Sequence, residues 1–206
     1  MATINITNHK TSSAKPEKDK NPTTKNNTGG KSDINSILEV RYSPLAFASG
    51  AYSLINANAG SQFTRITGTS PATKTYTSVQ IGPRDHIELN SDLVYCNHSC
   101  APSLEFDMKK FEIRVVKGKD LKIGDPLTFF YPSTEWDMAQ PFDCNCGAKE
   151  CHHWINGAKN MDRDILGKYW LNEHIASLLA EENGTQNNFH EAENGTQRDQ
   201  LRGNNL

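Results

Sequence analysis

Three of the five cysteines fall within eight residues, as Cys144, Cys146 and Cys151 of the run CNCGAKEC, and that spacing limits what the chain can be. Three thiolates on one short loop occupy three corners of a zinc tetrahedron at about 2.3 Å each. Without metal, such a cluster of accessible thiols is an oxidation liability. The first twenty residues (MATINITNHKTSSAKPEKDK) lack the continuous apolar core of a signal peptide, and the cysteine count is odd. Both features favour metal over a disulfide framework. A fourth ligand has to come from elsewhere, and by spacing Cys96, Cys100, His98, His152 and His153 are all candidates.

The chain has 206 residues, enough for one ordinary domain. Its apolar fraction is 35%, against about 45–50% for an average globular chain, which places part of it outside any core. The deficit sits at the ends. Residues 1–35 carry six lysines and three acids among Asn, Thr, Ser and Gly, and residues 181–206 are similarly polar and repeat ENGTQ at 182–186 and 193–197. Neither stretch buries enough apolar surface to offset its ordering entropy, so both read as disordered tails. The middle holds 14 basic and 16 acidic residues, without the basic stripe that phosphate binding requires, so no direct nucleic-acid binding is expected. No apolar run reaches about 18 residues, so no membrane span is expected and the chain reads as intracellular, cytoplasmic or nuclear. Sequons at Asn5, Asn26, Asn97, Asn183 and Asn194 then reflect Asn/Thr-rich composition.

Between the tails the pattern is mainly β. Short runs rich in β-branched and aromatic residues recur at 38–43, 52–57, 61–68, 76–81, 86–90, 104–108, 111–118 and 127–132, each bounded by turn residues. Gly118 and Gly124 punctuate the connection KGKDLKIGDPL. One packing helix is expected over about 162–180, from the imperfect stripe Ile165, Tyr169, Ile175, Leu178 and Leu179.

A second cluster, NHSCAP at 97–102, places Asn, His and Cys directly before a proline turn. A Cys/His nucleophile pair is disfavoured, since such partners meet in space and seldom as sequence neighbours. NHSCAP, then GDPLTFFY at 124–131, then FDCNCGAKECHHWI at 142–155, in that order and spacing, resembles the signature of SET-domain methyltransferases with a post-SET zinc motif. The resemblance covers residues 38–157. It implies a SET domain over 36–135, a post-SET zinc motif over 140–157 and a C-terminal helix over 158–180. The implied fold is a β-clip in which the segment after NHSC threads past the later strand in pseudoknot fashion, against the usual rule that connections avoid threading.

Carried over residue by residue, the resemblance assigns the zinc to Cys100, Cys144, Cys146 and Cys151, which leaves Cys96 as a packed thiol. It assigns S-adenosylmethionine contacts to Asn97 and His98, makes Tyr131 the active-site tyrosine, and matches Trp154 to the apolar residue covering the adenine or the target side chain. The first cofactor loop falls on Ala48-Ser49-Gly50-Ala51-Tyr52, with Gly50, Ala51 and Tyr52 at the cofactor. Three positions depart from the family pattern: Ala48 replaces a glycine, Ser103 an asparagine, and Phe130 an acidic or polar residue. The implied activity is S-adenosylmethionine-dependent N-methyl transfer, to a lysine of a protein or peptide. The alternatives are a SET-fold transferase acting on a small amine and a degenerate SET-like binding module. The zinc is structural in each case, because four thiolates close its shell.

Overall fold

The computed structural model describes residues 34–183. Apart from a few residues at their inner ends, the expected tails over 1–35 and 181–206 lie outside the described residues, as does the second ENGTQ copy.

All eight expected strand runs contain extended structure, in shorter form. The strands are β1 (Leu38–Arg41), β2 (Gly50–Ser53), β3 (Gln62–Arg65), β4 (Ser70–Ala72), β5 (Val79–Gln80), β6 (His86–Glu88), β7 (Asn97–His98), β8 (Leu104–Asp107), β9 (Glu112–Val115), β10 (Thr128–Phe129), β11 (Phe142–Asp143) and β12 (Trp154–Ile155). They form small sheets ordered β1-β2, β3-β9-β8, β4-β6-β5, β7-β10 and β11-β12. The β8–β9 hairpin shows why: Ile113 and Val115 point inward, while Glu112 and Arg114 alternate to the other face. Arg114 meets Glu105 at 3.4 Å and lies 5.3 Å from the Trp170 ring. On the inner face Phe106 stacks on Phe129 with ring centroids 4.1 Å apart, among Leu104, Leu121 and Leu127. Gly118 (φ 93°) and Gly124 (φ 85°) turn the chain after β9 through the left-handed region, as their residue type allows.

One connection sets up the site. β7 pairs parallel with β10, Asn97 opposite Thr128 and His98 opposite Phe129. The pairing continues as Ser99 N–H to Phe129 O (3.0 Å) and Ser103 N–H to Thr128 O (3.1 Å). Two strands distant in sequence thereby run side by side, and the residues after each of them meet.

The single helix expected over about 162–180 is two segments: α1 (Arg163–Leu166) and α2 (173–183). Asp162 caps α1, its side chain accepting from Asp164 N–H at 2.7 Å, and Gly167 ends it. At the break the backbone N–H of Asn172 donates to Ser133 O (3.0 Å), a tertiary bond that takes the place of an intrahelical one. Asn172, 1% exposed, donates Nδ2 to Phe106 O (2.8 Å) and Ser133 O (2.9 Å) and accepts from Met108 N–H (2.8 Å). Leu166 and Ile175, one from each segment, then join Phe130 and Ala158 in a second core. No helix among the described residues is long and apolar enough to cross a membrane.

Candidate active site and metal centre

The metal centre is built from three segments. The turn after β7 brings Cys100, the loop after β11 brings Cys144 and Cys146, and Cys151 follows before β12. Their four sulfurs lie within 4.8 Å of one another, and Cys100 Sγ is 4.0 Å from Cys144 Sγ. Tetrahedral zinc with ~2.3 Å bonds needs S···S edges of about 3.8 Å, so the donor set fits. Backbone amides already point at the sulfurs: Cys100 N–H at Cys146 Sγ (3.5 Å) and His152 N–H at Cys100 Sγ (3.4 Å). Such donors favour thiolates. Of the alternative fourth ligands, neither His152 nor His153 joins the cluster. Cys96 is separately buried at 1% exposure, and burial pushes its thiol up to about 12.

Around the centre the rings interlock. His98 is buried, and burial together with the neighbouring His152 holds it down to about 4, so it is neutral. Its Nδ1 accepts from Tyr131 N–H (3.2 Å), which leaves the proton on Nε2, 3.4 Å from Cys100 Sγ. His98 thus links the tyrosine to the metal centre with both ring nitrogens. Any contact it makes with a cofactor falls to its backbone. Tyr169, one of the residues missed in the sequence, donates its hydroxyl to Cys100 O (2.8 Å), lies 2.9 Å from His152 Nε2, and stacks on Phe130 at 3.6 Å. The departure at Phe130 is therefore a packing residue, 2% exposed, which joins the C-terminal segments to the site. Ser103, another departure, donates Oγ to Pro126 O (2.8 Å) and accepts from Thr128 N–H (3.0 Å), so it fastens the β7–β10 crossing.

Tyr131 opens the turn after β10. Its hydroxyl donates to Cys96 O at 3.3 Å, and its ring stands 4.7 Å from that of Phe129. Burial raises its phenol well above the ordinary value, so it stays protonated at neutral pH. Opposite it, Asn97 Nδ2 donates to Ser49 O at 2.8 Å and fastens the β1–β2 loop. Gly50 and Ala51 are buried in β2 against this bond, and Tyr52 lies under the Arg41 guanidinium at 3.9 Å. A Cβ on Gly50 would meet Asn97 Nδ2 at 3.1 Å, closer than ordinary packing. Gly50→Ala is therefore expected to cost ~1 kcal/mol and to loosen the loop, measured by urea unfolding and by donor titration; an unchanged affinity would detach Gly50 from the cofactor. Ala48 is not among the residues with positive φ; its neighbour Phe47 (φ 59°) is, so the missing glycine costs no backbone strain. Trp154, on β12, is 52% exposed and packs on no described core.

A crossed β clip with a four-cysteine cluster beside a partly buried tyrosine is the arrangement expected of a SET-type scaffold. Methyltransferase flvH of Aspergillus flavus is 55% identical over 144 residues, covering 69% of this chain and 81% of that protein. Histone-lysine N-methyltransferase 2D of Homo sapiens is 32% identical over 66 residues, and the H3 lysine-36 specific histone-lysine N-methyltransferase of Aspergillus oryzae is 30% identical over 73. Those matches cover 30% and 34% of this chain and only 1% and 8% of those proteins. The chain belongs to the SET-domain methyltransferase family. No family model matches it. The solved structure of KRYPTONITE in complex with mCHG DNA and SAH aligns with a TM-score of 0.44 at 20% identity over 57% of this chain and 28% of that one, an overlap that adds nothing to the assignment.

Proposed function

We propose that the protein transfers a methyl group from S-adenosylmethionine to an amine, with a lysine of a protein or peptide as acceptor. The 55% identity to a methyltransferase across most of that protein's length supports this reading. The observation that carries it within the chain is the convergence of Tyr131, Cys96 O and the Asn97–Ser49 bond at the β7–β10 crossing. The lysine acceptor rests on the names of the two histone-lysine relatives, with which this chain shares one stretch each.

When bound, S-adenosylmethionine supplies an electrophilic methyl. The residues of the chain supply alignment, which effective-molarity arguments value at several kcal/mol. Asn97 fixes the loop of Gly50, Ala51 and Tyr52 on one side, and the protonated Tyr131 hydroxyl with Cys96 O orients polar atoms on the other. Phe129, Tyr131 and Phe142 pack ring against ring beside the crossing, an apolar surround that would disfavour the ammonium form of an entering amine. Cys100, Cys144, Cys146 and Cys151 would hold zinc in a closed shell that fixes the wall geometry without taking part in the reaction.

The direct test is a calorimetric titration with S-adenosylmethionine and with its demethylated product. One-to-one binding at micromolar strength, roughly −8 kcal/mol, is expected. No heat from either, with the fold intact, would favour the binding-module alternative. Tyr131→Phe removes one oriented hydroxyl and is expected to slow transfer by about 10²–10³-fold with donor affinity unchanged, read with labelled donor on histone H3 peptide and on free L-lysine. A rate within about twofold of the wild type would remove Tyr131 from the reacting centre.

A further inference from the structure

One buried acid lies outside everything described so far. Glu135 follows Tyr131 by one turn, its N–H donating to Tyr131 O at 2.9 Å, and its own carbonyl accepts from Ala158 N–H at 2.8 Å. Its residue is only 9% exposed. The two carboxylate oxygens have different surroundings. Oε1 is clamped, accepting from Gln80 N–H (2.9 Å) and Thr134 Oγ (3.1 Å). Gln80 in turn accepts from Trp136 N–H at 2.8 Å and donates to Gly82 O at 2.7 Å, so β5 and the turn after Tyr131 hold the group from both sides. Oε2 takes no hydrogen bond among the described residues. The only fully enclosed side-chain oxygen or nitrogen without a partner there is Ser91 Oγ, so Oε2 keeps an opening to solvent.

The charge is also unmatched. Glu135 forms no ion pair among the described residues. Lys74, whose field reaches it, is engaged with Asp137 O (3.1 Å) and Asp137 Oδ2 (3.0 Å). The other titratable groups close by are Tyr131, whose phenol feels the Glu135 charge, His86 on β6 beside Gln80, and His174 with Nε2 2.8 Å from Thr134 O. A rigid, nearly buried carboxylate without a counter-cation either takes up a proton or gains from a cationic ligand.

We propose that Glu135 is the acceptor-recognition residue: its open Oε2 takes a hydrogen bond from the substrate's ammonium and then the proton that the amine must lose before attack. The proposal rests on the methyltransferase reading and deepens it by naming the residue that meets the acceptor amine, which arrives protonated. In the step itself one ammonium N–H bond breaks and one O–H bond forms on Oε2. The nitrogen keeps the electron pair, and the site's net charge is unchanged. Burial pushes the carboxyl up to about 7, which matches it to proton exchange near neutrality.

The test follows the carbon-13 signal of the Glu135 carboxyl in the zinc-loaded full chain, assigned by its loss in Glu135→Gln, as pH is varied with saturating n-butylammonium chloride or the neutral 1-pentanol. The sign is fixed: an ammonium favours the carboxylate. The midpoint is expected near 7 alone, lower by about one unit or more with n-butylammonium, and unmoved by 1-pentanol. Glu135→Gln keeps an oxygen for the Gln80 and Thr134 clamp and is expected to bind n-butylammonium at least about tenfold more weakly. A midpoint that ignores n-butylammonium overturns the proposal, whatever the variant does. Donor calorimetry separates the two readings. Donor binding with an unmoved midpoint removes Glu135 alone, whereas a shifted midpoint without donor binding removes methyl transfer and leaves an ammonium site.

Discussion

Cys146→Ser, or treatment with a strong chelator, is expected to release the metal and melt the segment over about 142–157, with donor affinity lost as a result. The magnitude follows from what the cluster joins. Cys100 belongs to the turn after β7, Cys144 and Cys146 to the loop after β11, and His152 N–H reaches back to Cys100 Sγ. Structural zinc contributes about 10–16 kcal/mol in small metal-folded domains, as much as the whole stability of an ordinary domain, about 5–15 kcal/mol. β11 and β12 are two residues each and pair only with each other, so the thiolates are their main anchor. Metal content by absorption, with a thermal melt, checks this. A metal-free protein that melts at the wild-type temperature and still binds S-adenosylmethionine would contradict it.

The second large effect is expected at Asn172. Asn172→Ala strips Met108 N–H of its acceptor and takes a donor from Phe106 O and from Ser133 O. Ser133 O keeps the backbone N–H of residue 172, at 3.0 Å. Unpaired buried groups cost about 1–3 kcal/mol each, so a loss of about 3 kcal/mol is expected, with a fall in Tm of roughly 6–12 °C. Asn172→Asp should be worse, because a carboxylate cannot donate to the two carbonyls. Urea unfolding of both variants measures this; a loss below about 1 kcal/mol for Asn172→Ala would mean that water replaces the amide.

Much of the site was legible because its chemistry is local in sequence. The C-x-C-x4-C spacing announced three of the four clustered thiols, and the resemblance supplied Cys100. Strand existence was read from β-branched and aromatic runs, while strand lengths were overestimated. The ends of LEVRYS and LTFFYP peel away into loops and a turn, because neighbouring strands of two to four residues leave them nothing to pair with. The two-residue strands β7, β11 and β12 were not visible, since their pairing is set by tertiary contacts. The C-terminal stripe misled for a related reason. Its apolar spacing fits a helix, but Asn172 and Gly167 interrupt it, and an asparagine that bonds to residues 64 and 66 positions away gives no local sign of doing so. Glu135 and Tyr169 were missed likewise. A lone Glu in PSTEW and a Tyr on an amphipathic stripe read as ordinary residues until Gln80 and Cys100 are seen beside them.

The stack of Tyr169 on Phe130 carries an implication for how the protein is made. Its hydroxyl bond spans 69 residues back to Cys100, and Asn172 closes onto Phe106, made 66 residues before it. On a ribosome adding about 5–20 residues per second, the β8–β9 hairpin forms seconds before these partners leave the exit tunnel. Until then Cys100, Phe130 and the edges of the β7–β10 crossing are uncovered together. During that interval the nascent chain presents bare thiols next to apolar rings, so prompt metal supply and chaperone shielding matter most then.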